Sequence, residues 1–280
     1  MKLWMFPGQP LKLEQPVPDN DLCAVAELCR ERCGYDLLTC RPLDGYDLSP
    51  HTCLQIYGVA MSLYRARKLR IAGNSPDLLA EHSLGIYAAL AVAGSIDAAS
   101  ALELAARIGS CISRMGGQRE YALGCPIGLA VDLVEQAACN NNVYVANYNT
   151  SRHFLIAGEK SGVEAALAEC QAAGAFSVSS FVCEAPLHTP LMTEVEPDLT
   201  SIVQEYRFTE PVTPLVESLN QTRLTAAAMP AFLVQALLQP VYWERTWKRL
   251  SASGVSRSVE VGSGQPLTKF NRWIDAESSS

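Results

Sequence analysis

The feature that most constrains this chain is a serine placed between a short apolar run and a helix-forming segment. Leu78–Ala80 is typical of the end of a buried strand, and Ile86–Ala93 is rich in helix formers. His82-Ser83-Leu84-Gly85 lies between them. A serine at a sharp strand-to-helix turn is a nucleophile elbow, which lifts the hydroxyl clear of the sheet. The free N–H groups at the start of the helix can stabilise an oxyanion there.

The residue that opens this turn departs from the usual elbow pattern. An elbow normally has the form Gly-x-Ser-x-Gly, and Glu81 occupies the position of the first glycine. Serine is also a preferred N-cap of ordinary helices, which is a commoner use of this residue type. The motif alone therefore favours catalysis by Ser83 only modestly over a structural role.

The segment between Glu120 and Cys183 has a different pattern of elements. Strands are predicted at 121–128, 143–148, 153–158 and 176–182, and helices at 131–139 and 161–173. This is the order of the ferredoxin-like split βαββαβ unit. We therefore predict an α/β protein in two subdomains. The large, hydrolase-like subdomain comprises residues 1–118 and 184–280 with a mostly parallel sheet, and residues 119–183 form an inserted small subdomain.

The composition excludes several classes of function. A net charge of −7 and a pI near 5.2 argue against a nucleic-acid binder, which would present a basic face. No apolar run approaches the length of a transmembrane helix, and Lys2–Phe6 is too short for the apolar part of a signal peptide. Ten cysteines in a long chain without such a signal indicate a reducing compartment. We therefore expect a cytoplasmic protein without nucleic-acid or membrane partners.

Four separated motifs carry a resemblance to a known family. In chain order they are Phe6-Pro7-Gly8-Gln9, His82-Ser83-Leu84-Gly85, the segment Ala185–Met192 around His188, and the segment Val259–Gly264. Together with the inserted split unit, they resemble the malonyl-CoA:acyl-carrier-protein transacylase family, which includes the acyltransferase domains of fatty-acid and polyketide synthases. The resemblance covers nearly the whole chain. Each motif is weak alone, but their conjunction in the right order is specific.

The resemblance implies a ping-pong acyl transfer from an acyl-CoA, most of all malonyl-CoA, to an acyl carrier protein. Ser83 would attack the thioester and pass the acyl group to the phosphopantetheine thiol of the carrier. His188 would act as the general base for both half-reactions. His82 would pack behind the elbow in a structural role. The family chemistry implies no metal and no bound cofactor.

The resemblance also assigns roles to backbone groups. The oxyanion hole would consist of the N–H groups of Gln9 and Leu84. Pro10 stands where a glycine normally follows this glutamine, and its fixed φ constrains the loop. A backbone carbonyl near Gln235 or Ala236 would orient the imidazole of His188. Because only a main-chain oxygen is needed, the identity of the side chains at these positions does not indicate which carbonyl it is.

Substrate choice depends on a position after the elbow. Malonyl-specific members of the family bind the free carboxylate with an arginine, because a guanidinium matches a carboxylate in two-point geometry. If this chain is matched to the family without gaps after Ser83, the position of that arginine falls on Ile108, and Arg107 is its neighbour. One residue along a helix turns a side chain by about 100°. Either Arg107 binds the carboxylate, or the pocket is apolar there and favours an uncharged acyl group.

Three further interpretations stay open at the level of sequence. An acyl hydrolase that edits acyl-carrier-protein thioesters would use the same Ser83 and His188. An acyltransferase for uncharged acyl groups would follow from an apolar pocket. A non-catalytic carrier-binding scaffold is suggested by Glu81 and Pro10, which are unusual residues beside the active centre.

One basic cluster is a candidate surface for docking an acidic carrier protein. It closes the helix predicted from Thr52 to Leu69. Its members are Arg65, Arg67, Lys68 and Arg70. Cations are also expected at a helix C-terminus from the helix dipole alone, and this explanation takes precedence over docking.

Overall fold

The computed structural model describes residues 1–117 and 119–278. The predicted subdomain boundary at residue 118 and the chain end at residue 280 therefore lie outside the described residues. The strands are β1 (Lys2–Phe6), β2 (Tyr35–Asp36), β3 (Arg41–Pro42), β4 (Leu78–Glu81), β5 (Tyr121–Ile127), β6 (Tyr144–Thr150), β7 (His153–Glu159), β8 (Ser177–Cys183), β9 (Leu215–Val216) and β10 (Arg257–Glu260). The helices are α1 (Asn20–Cys33), α2 (Pro50–Ile71), α3 (Gly85–Ala93), α4 (Ala98–Ser113), α5 (Val131–Asn140), α6 (Lys160–Ala172), α7 (Glu196–Gln204), α8 (Met229–Leu238), α9 (Trp243–Ala252) and α10 (Pro266–Ser278). Short 3-10 helices span Arg114–Gly117 and Pro190–Val195.

The large subdomain is built on a parallel sheet in the order β10-β1-β4-β9. Strand β1 lies in its centre and is buried on both faces, because its side chains alternate between two cores. Trp4 and Phe6 belong to the core that packs against α2, α3 and α4. Leu3 and Met5 belong to the core on the opposite face, which contains Trp243. Helices on both faces are the usual environment of a parallel sheet.

The small subdomain has an antiparallel sheet in the order β6-β7-β5-β8. Helices α5 and α6 cover one face of this sheet and close a separate hydrophobic core with it. The chain order βαββαβ and this strand order are those of the ferredoxin-like unit, so the predicted α/β fold with an inserted small subdomain is confirmed. We propose that the small subdomain comprises residues 119–183, because its first strand, β5, begins at Tyr121 and its last strand, β8, ends at Cys183.

The last part of the chain corrects one prediction. The sequence after the glycine turn at Gly262–Gly264 predicts only a short final segment, Phe270–Asp275, whereas the structure has the 13-residue helix α10. The carboxylate of Glu260 accepts the backbone N–H groups of Leu267 and Thr268, at 3.1 and 2.8 Å. A side chain from the preceding strand therefore caps this helix. The capping residue and the start of the helix are separated by a glycine turn. No standard sequence spacing relates them, so this cap is not visible in the sequence.

Among the described residues, no helix is both long and apolar enough to cross a membrane. All ten cysteines are free thiols.

Candidate active site

The elbow lies where β4 leaves the carboxyl edge of the parallel sheet. Ser83 has a φ of +55°, a left-handed conformation that is uncommon for a residue with a side chain. Two residues later, a Cβ atom on Gly85 would collide with the carbonyl oxygen of Phe6 in the neighbouring strand β1. Glycine at this position therefore lets the start of α3 pass close to strand β1. Local strain of this kind is concentrated at functional sites.

The structure brings Ser83 and His188 together across 105 residues of sequence. Ser83 Oγ lies 2.6 Å from His188 Nε2, and His188 Nδ1 lies 2.6 Å from the carbonyl oxygen of Ala236. A carbonyl can only accept, so Nδ1 carries the proton of the neutral imidazole and Nε2 accepts from the Ser83 hydroxyl. Of the two predicted carbonyls, that of Gln235 accepts the N–H of Gln239 instead.

The loop of His188 is fixed against helix α8. His188 has a φ of +64°, and its backbone N–H donates to the carbonyl oxygen of Leu237 at 2.8 Å. Thr189 Oγ1 donates to the carbonyl oxygen of Pro186 at 2.6 Å. Both ends of the imidazole are thus held, one by the serine and one by the end of α8.

Burial sets the charge of His188. Desolvation lowers the pKa of this imidazole to about 4, and the positive charge that His82 can carry lowers it further, although the Ala236 carbonyl raises it. A base with a pKa of about 4 is neutral at physiological pH. His188 can therefore accept the Ser83 proton without first losing one of its own.

Leu84, one predicted oxyanion donor, and Pro10, which follows the other, both lie against Gly58 of α2. A Cβ atom on Gly58 would come within 2.8 Å of Leu84 Cδ2 and 2.9 Å of Pro10 Cδ. The absence of that atom lets the loop after Gln9 and the start of α3 approach each other. Within the described ranges, the backbone N–H groups of Gln9 and Leu84 have no protein acceptor, so their role as oxyanion donors stays a prediction. Pro10, which replaces the usual glycine, fits over Gly58.

Glu14 fixes the loop that follows Gln9, and sequence reasoning missed it. Tyr57 Oη donates to the backbone carbonyl of Glu14 at 2.8 Å and accepts its N–H at 2.6 Å. The Glu14 carboxylate pairs with Arg65 on α2 and accepts the backbone N–H of Gly264 at 2.7 Å. The loop is therefore tied both to α2 and to the turn after β10. These contacts join residues far apart in sequence, and no local pattern signals them.

Glu81 lies beneath the elbow rather than in front of it. Its side chain is 1% exposed, and its carboxylate accepts the backbone N–H of Ser218 at 2.8 Å. Desolvation raises the pKa of this carboxyl to about 7, against the effect of hydrogen bonds from Ser218. The glutamate is therefore a buried, hydrogen-bonded group that changes its charge near neutral pH.

His82 joins the two subdomains behind the elbow. Its Nε2 atom lies 3.0 Å from Asn149 Oδ1 and 3.5 Å from Asn147 Nδ2, both on β6 of the small subdomain. Its ring meets Trp243 edge-on at a centroid distance of 5.9 Å. Sequence analysis did not identify the asparagines, because the predicted strand ended at Tyr148 and left Asn149 outside it, whereas the observed strand β6 contains both.

The structure does not bring Arg107 to the dyad. Its guanidinium donates to both carboxylate oxygens of Glu205 at 2.7 Å, and its carbon lies 5.7 Å from the ring centre of Tyr206. This ion pair lies at the protein surface. Ile108, by contrast, is 1% exposed and belongs to the main core. In this structure the two-point geometry of Arg107 is used by Glu205, so the choice between Arg107 and an apolar pocket at Ile108 stays a prediction.

The basic cluster at the end of α2 is also used within the protein. Its members pair with acidic groups or a carbonyl of neighbouring elements: Arg65 with Glu14, Arg67 with Asp21, Lys68 with Asp19 and Asp21, and Arg70 with the carbonyl of Val92. This pairing neutralises most of the charge that docking would need. In the part of the chain that the structure describes, no three His, Cys, Asp or Glu side chains are grouped as metal ligands.

Comparison with known proteins decides the family. A model of the family described as acyl transferase domain matches residues 42–267. This chain belongs to the acyl transferase domain family. The malonyl CoA-acyl carrier protein transacylase of Escherichia coli (strain K12) is 31% identical over 249 residues, which are 86% of this chain and 80% of the relative. The family predicted from the four motifs is confirmed, and the protein is an acyltransferase.

Solved structures of this family superpose on nearly the whole acyltransferase. A malonyl transacylase in complex with a type II polyketide synthase acyl-carrier protein has a TM-score of 0.89 and 28% identity, with 98% of this chain and 92% of that chain covered. An acyl carrier protein S-malonyltransferase from Vibrio cholerae has a TM-score of 0.87 and 27% identity, with 98% and 93% covered. Both subdomains are therefore included in the likeness.

Proposed function

We propose that this acyltransferase moves a malonyl group from malonyl-CoA to the phosphopantetheine thiol of an acyl carrier protein through an acyl-serine intermediate. The name of the Escherichia coli relative supports this substrate pair. The neighbour solved with its carrier protein supports the partner. The observation that carries the proposal is the 2.6 Å hydrogen bond from Ser83 Oγ to His188 Nε2. The ten free thiols support a cytoplasmic location.

The first half-reaction forms the acyl-enzyme. His188 Nε2 takes the Ser83 proton while Oγ attacks the thioester carbonyl, and the resulting oxyanion accepts the N–H groups of Gln9 and Leu84. The carbon–sulfur bond then breaks, and the imidazolium returns the proton to the leaving sulfur of CoA. The Ala236 carbonyl stabilises the imidazolium through its hydrogen bond to Nδ1, so no carboxylate is needed.

The second half-reaction reverses these roles. His188 takes the proton of the carrier's thiol, and the thiolate attacks the acyl-serine carbonyl. The ester bond to Ser83 breaks, and the proton returns from the imidazolium to Oγ. The acyl hydrolase alternative would use the same two residues with water as the acceptor, and the names of the relatives favour transfer over hydrolysis.

Intact-protein mass spectrometry after incubation with malonyl-CoA tests the proposal. We expect the wild-type protein to gain the mass of one malonyl group and to lose it when a carrier protein bearing its phosphopantetheine is added. Ser83→Ala should fold normally and gain no mass. An adduct that persists in Ser83→Ala, or free malonate without transfer to the carrier, would refute the assignment.

A further inference from the structure

The two edges of the antiparallel sheet differ in how they are covered. At one edge, Tyr148 N–H of β6 donates to the carbonyl oxygen of Val241 at 2.8 Å, and Val241 N–H donates to that of Ala146 at 2.9 Å. The pairing of β6 with β7 also shifts register twice, and such irregularities disturb an edge. At the other edge, β5 is the one strand paired with β8 among the described residues. The backbone groups on the outer side of β8 are therefore available to another strand.

Strand β8 is long, regular and uncharged for an exposed edge. Its seven residues pair with β5 in one continuous register, and neither a charged residue nor a proline occurs from Phe176 to Cys183. Charged side chains, prolines and bulges are the features that keep edge strands from pairing with other chains. Residues 179–182 are all exposed, and Val182 is 82% exposed. Such an edge indicates a surface that pairs with another strand.

Charge favours a second copy of this chain as the partner of β8. The chain has a net charge of −7, so two copies repel each other on average. The uncharged strand lets them meet without that repulsion. A strongly acidic or basic partner, by contrast, would find no complementary charge along β8.

An antiparallel pairing of β8 with itself matches its side chains. When this pairing is centred on Ser180, all seven residues of the strand are paired, and Val178 lies opposite Val182 of the second copy. Two-fold symmetry repeats this β-branched pair on the other side of the centre. Glu184, the first charged residue after the strand, then lies opposite Phe176 of the second copy. A parallel, in-register pairing would instead place the two Glu184 side chains together, so the sequence of β8 favours the antiparallel arrangement.

We propose that this protein forms a homodimer in solution through antiparallel pairing of β8 with β8 of a second copy. The two four-stranded sheets then form one sheet of eight strands, and the two-fold axis passes perpendicular to it at Ser180. Helices α5 and α6 of both copies lie on the same face of this sheet. The inference does not depend on the proposed function, since neither Ser83 nor His188 lies on β8.

Analytical ultracentrifugation of the full chain at low ionic strength, over a series of protein concentrations, tests the inference. We expect the wild-type protein to change from monomer to dimer as its concentration rises. Ser180→Lys places two ammonium groups opposite each other at the two-fold axis, and we expect the association constant to fall about tenfold or more, because like charges juxtaposed across an interface repel each other. Ser180→Glu should have the same effect. A wild-type protein that stays monomeric at every concentration would overturn the inference.

An equimolar mixture of the two variants separates a loss of pairing from a loss of folding. Ser180→Lys and Ser180→Glu carry opposite charges at one position, so the mixture should form dimers at least as strongly as the wild-type protein. Ser251→Lys, on the exposed side of α9, is the matched control and should leave the association constant unchanged. A dimer that persists undiminished in Ser180→Lys would refute the inference, since it would indicate another surface. A mixture that stays monomeric would refute the pairing centred on Ser180.

Discussion

The buried imidazole of His188 predicts an unusual pH profile for acylation. Its pKa is lowered to about 4 by desolvation, whereas an exposed histidine has a pKa of about 6.5. The base must be neutral to take the Ser83 proton, so activity is lost as pH falls through the pKa of the folded protein. We therefore expect a rate that is flat from about pH 8 down to about pH 5 and falls only below that.

The magnitude follows from the fraction of neutral imidazole. At about pH 5, a base with a pKa of about 4 is roughly 90% neutral, but one with a pKa of about 6.5 is roughly 3% neutral. The two cases differ about 30-fold in rate at this pH. The carboxyl group of a malonyl substrate stays largely ionised above about pH 5, since carboxylic acids titrate near pH 4, and contributes little to the difference.

The assay is the single-turnover formation of the malonyl-enzyme by quenched-flow mass spectrometry across this pH range. Circular dichroism at each pH verifies that the protein is folded. Glu81→Gln serves as a second control, because the pKa of Glu81 is raised to about 7 and its titration falls within the range. A rate that falls about 30-fold between pH 8 and pH 5, with a midpoint near pH 6.5, would refute the assignment of a buried, neutral base.

Two further predictions concern groups that support the site. Because desolvation raises the pKa of Glu81 from 4.5 to about 7, the folded state binds more protons than the unfolded state between these values. The free energy of unfolding should therefore fall by roughly 3 kcal/mol as pH rises through this window. Urea denaturation of Glu81→Gln should lack this component, and identical pH dependence in both proteins would contradict the prediction. Tyr57→Phe removes the hydroxyl that holds both backbone groups of Glu14, so the loop of Gln9 should lose its fixed position. We expect an acylation rate about tenfold lower with little change in KM, and an unchanged rate would mean that the remaining ties of Glu14 hold the loop by themselves.

Elements with strong periodicity were predictable from the sequence. The helical spacing of apolar residues from Asp21 to Cys33 predicts a helix, and the structure has α1 (Asn20–Cys33) there. The short apolar segment Lys2–Phe6 predicts a strand, and it is β1. Both have apolar positions at the right spacing and clear turn residues at their ends. The sequence also predicts a strand at Val212–Val216, but the structure forms one only at Leu215–Val216. The length of this two-residue strand is set by its pairing with β4 and not by the pattern of its own residues.

The partners of the site residues were less predictable. Arg107 and Ile108 differ by one position, and about 100° of helix rotation separates a surface ion pair from a core contact. No sequence rule fixes that rotation when a single insertion or deletion is possible. The contact between His82 and Asn149 joins residues 67 apart and depends on how the two sheets meet. Such contacts belong to the tertiary packing, which a pattern of residue types does not specify.

The residues that depart from the family pattern argue against a decayed site. A buried carboxylate without partners would cost several kcal/mol, yet Glu81 receives the backbone N–H of Ser218. A proline after the oxyanion donor would distort the loop if it met an ordinary side chain, yet Pro10 lies over Gly58. Each departure is thus matched by a compensating neighbour on another element. A scaffold that had lost catalysis would not need to keep such pairs around a serine and a histidine still 2.6 Å apart, so the matched departures favour an active enzyme.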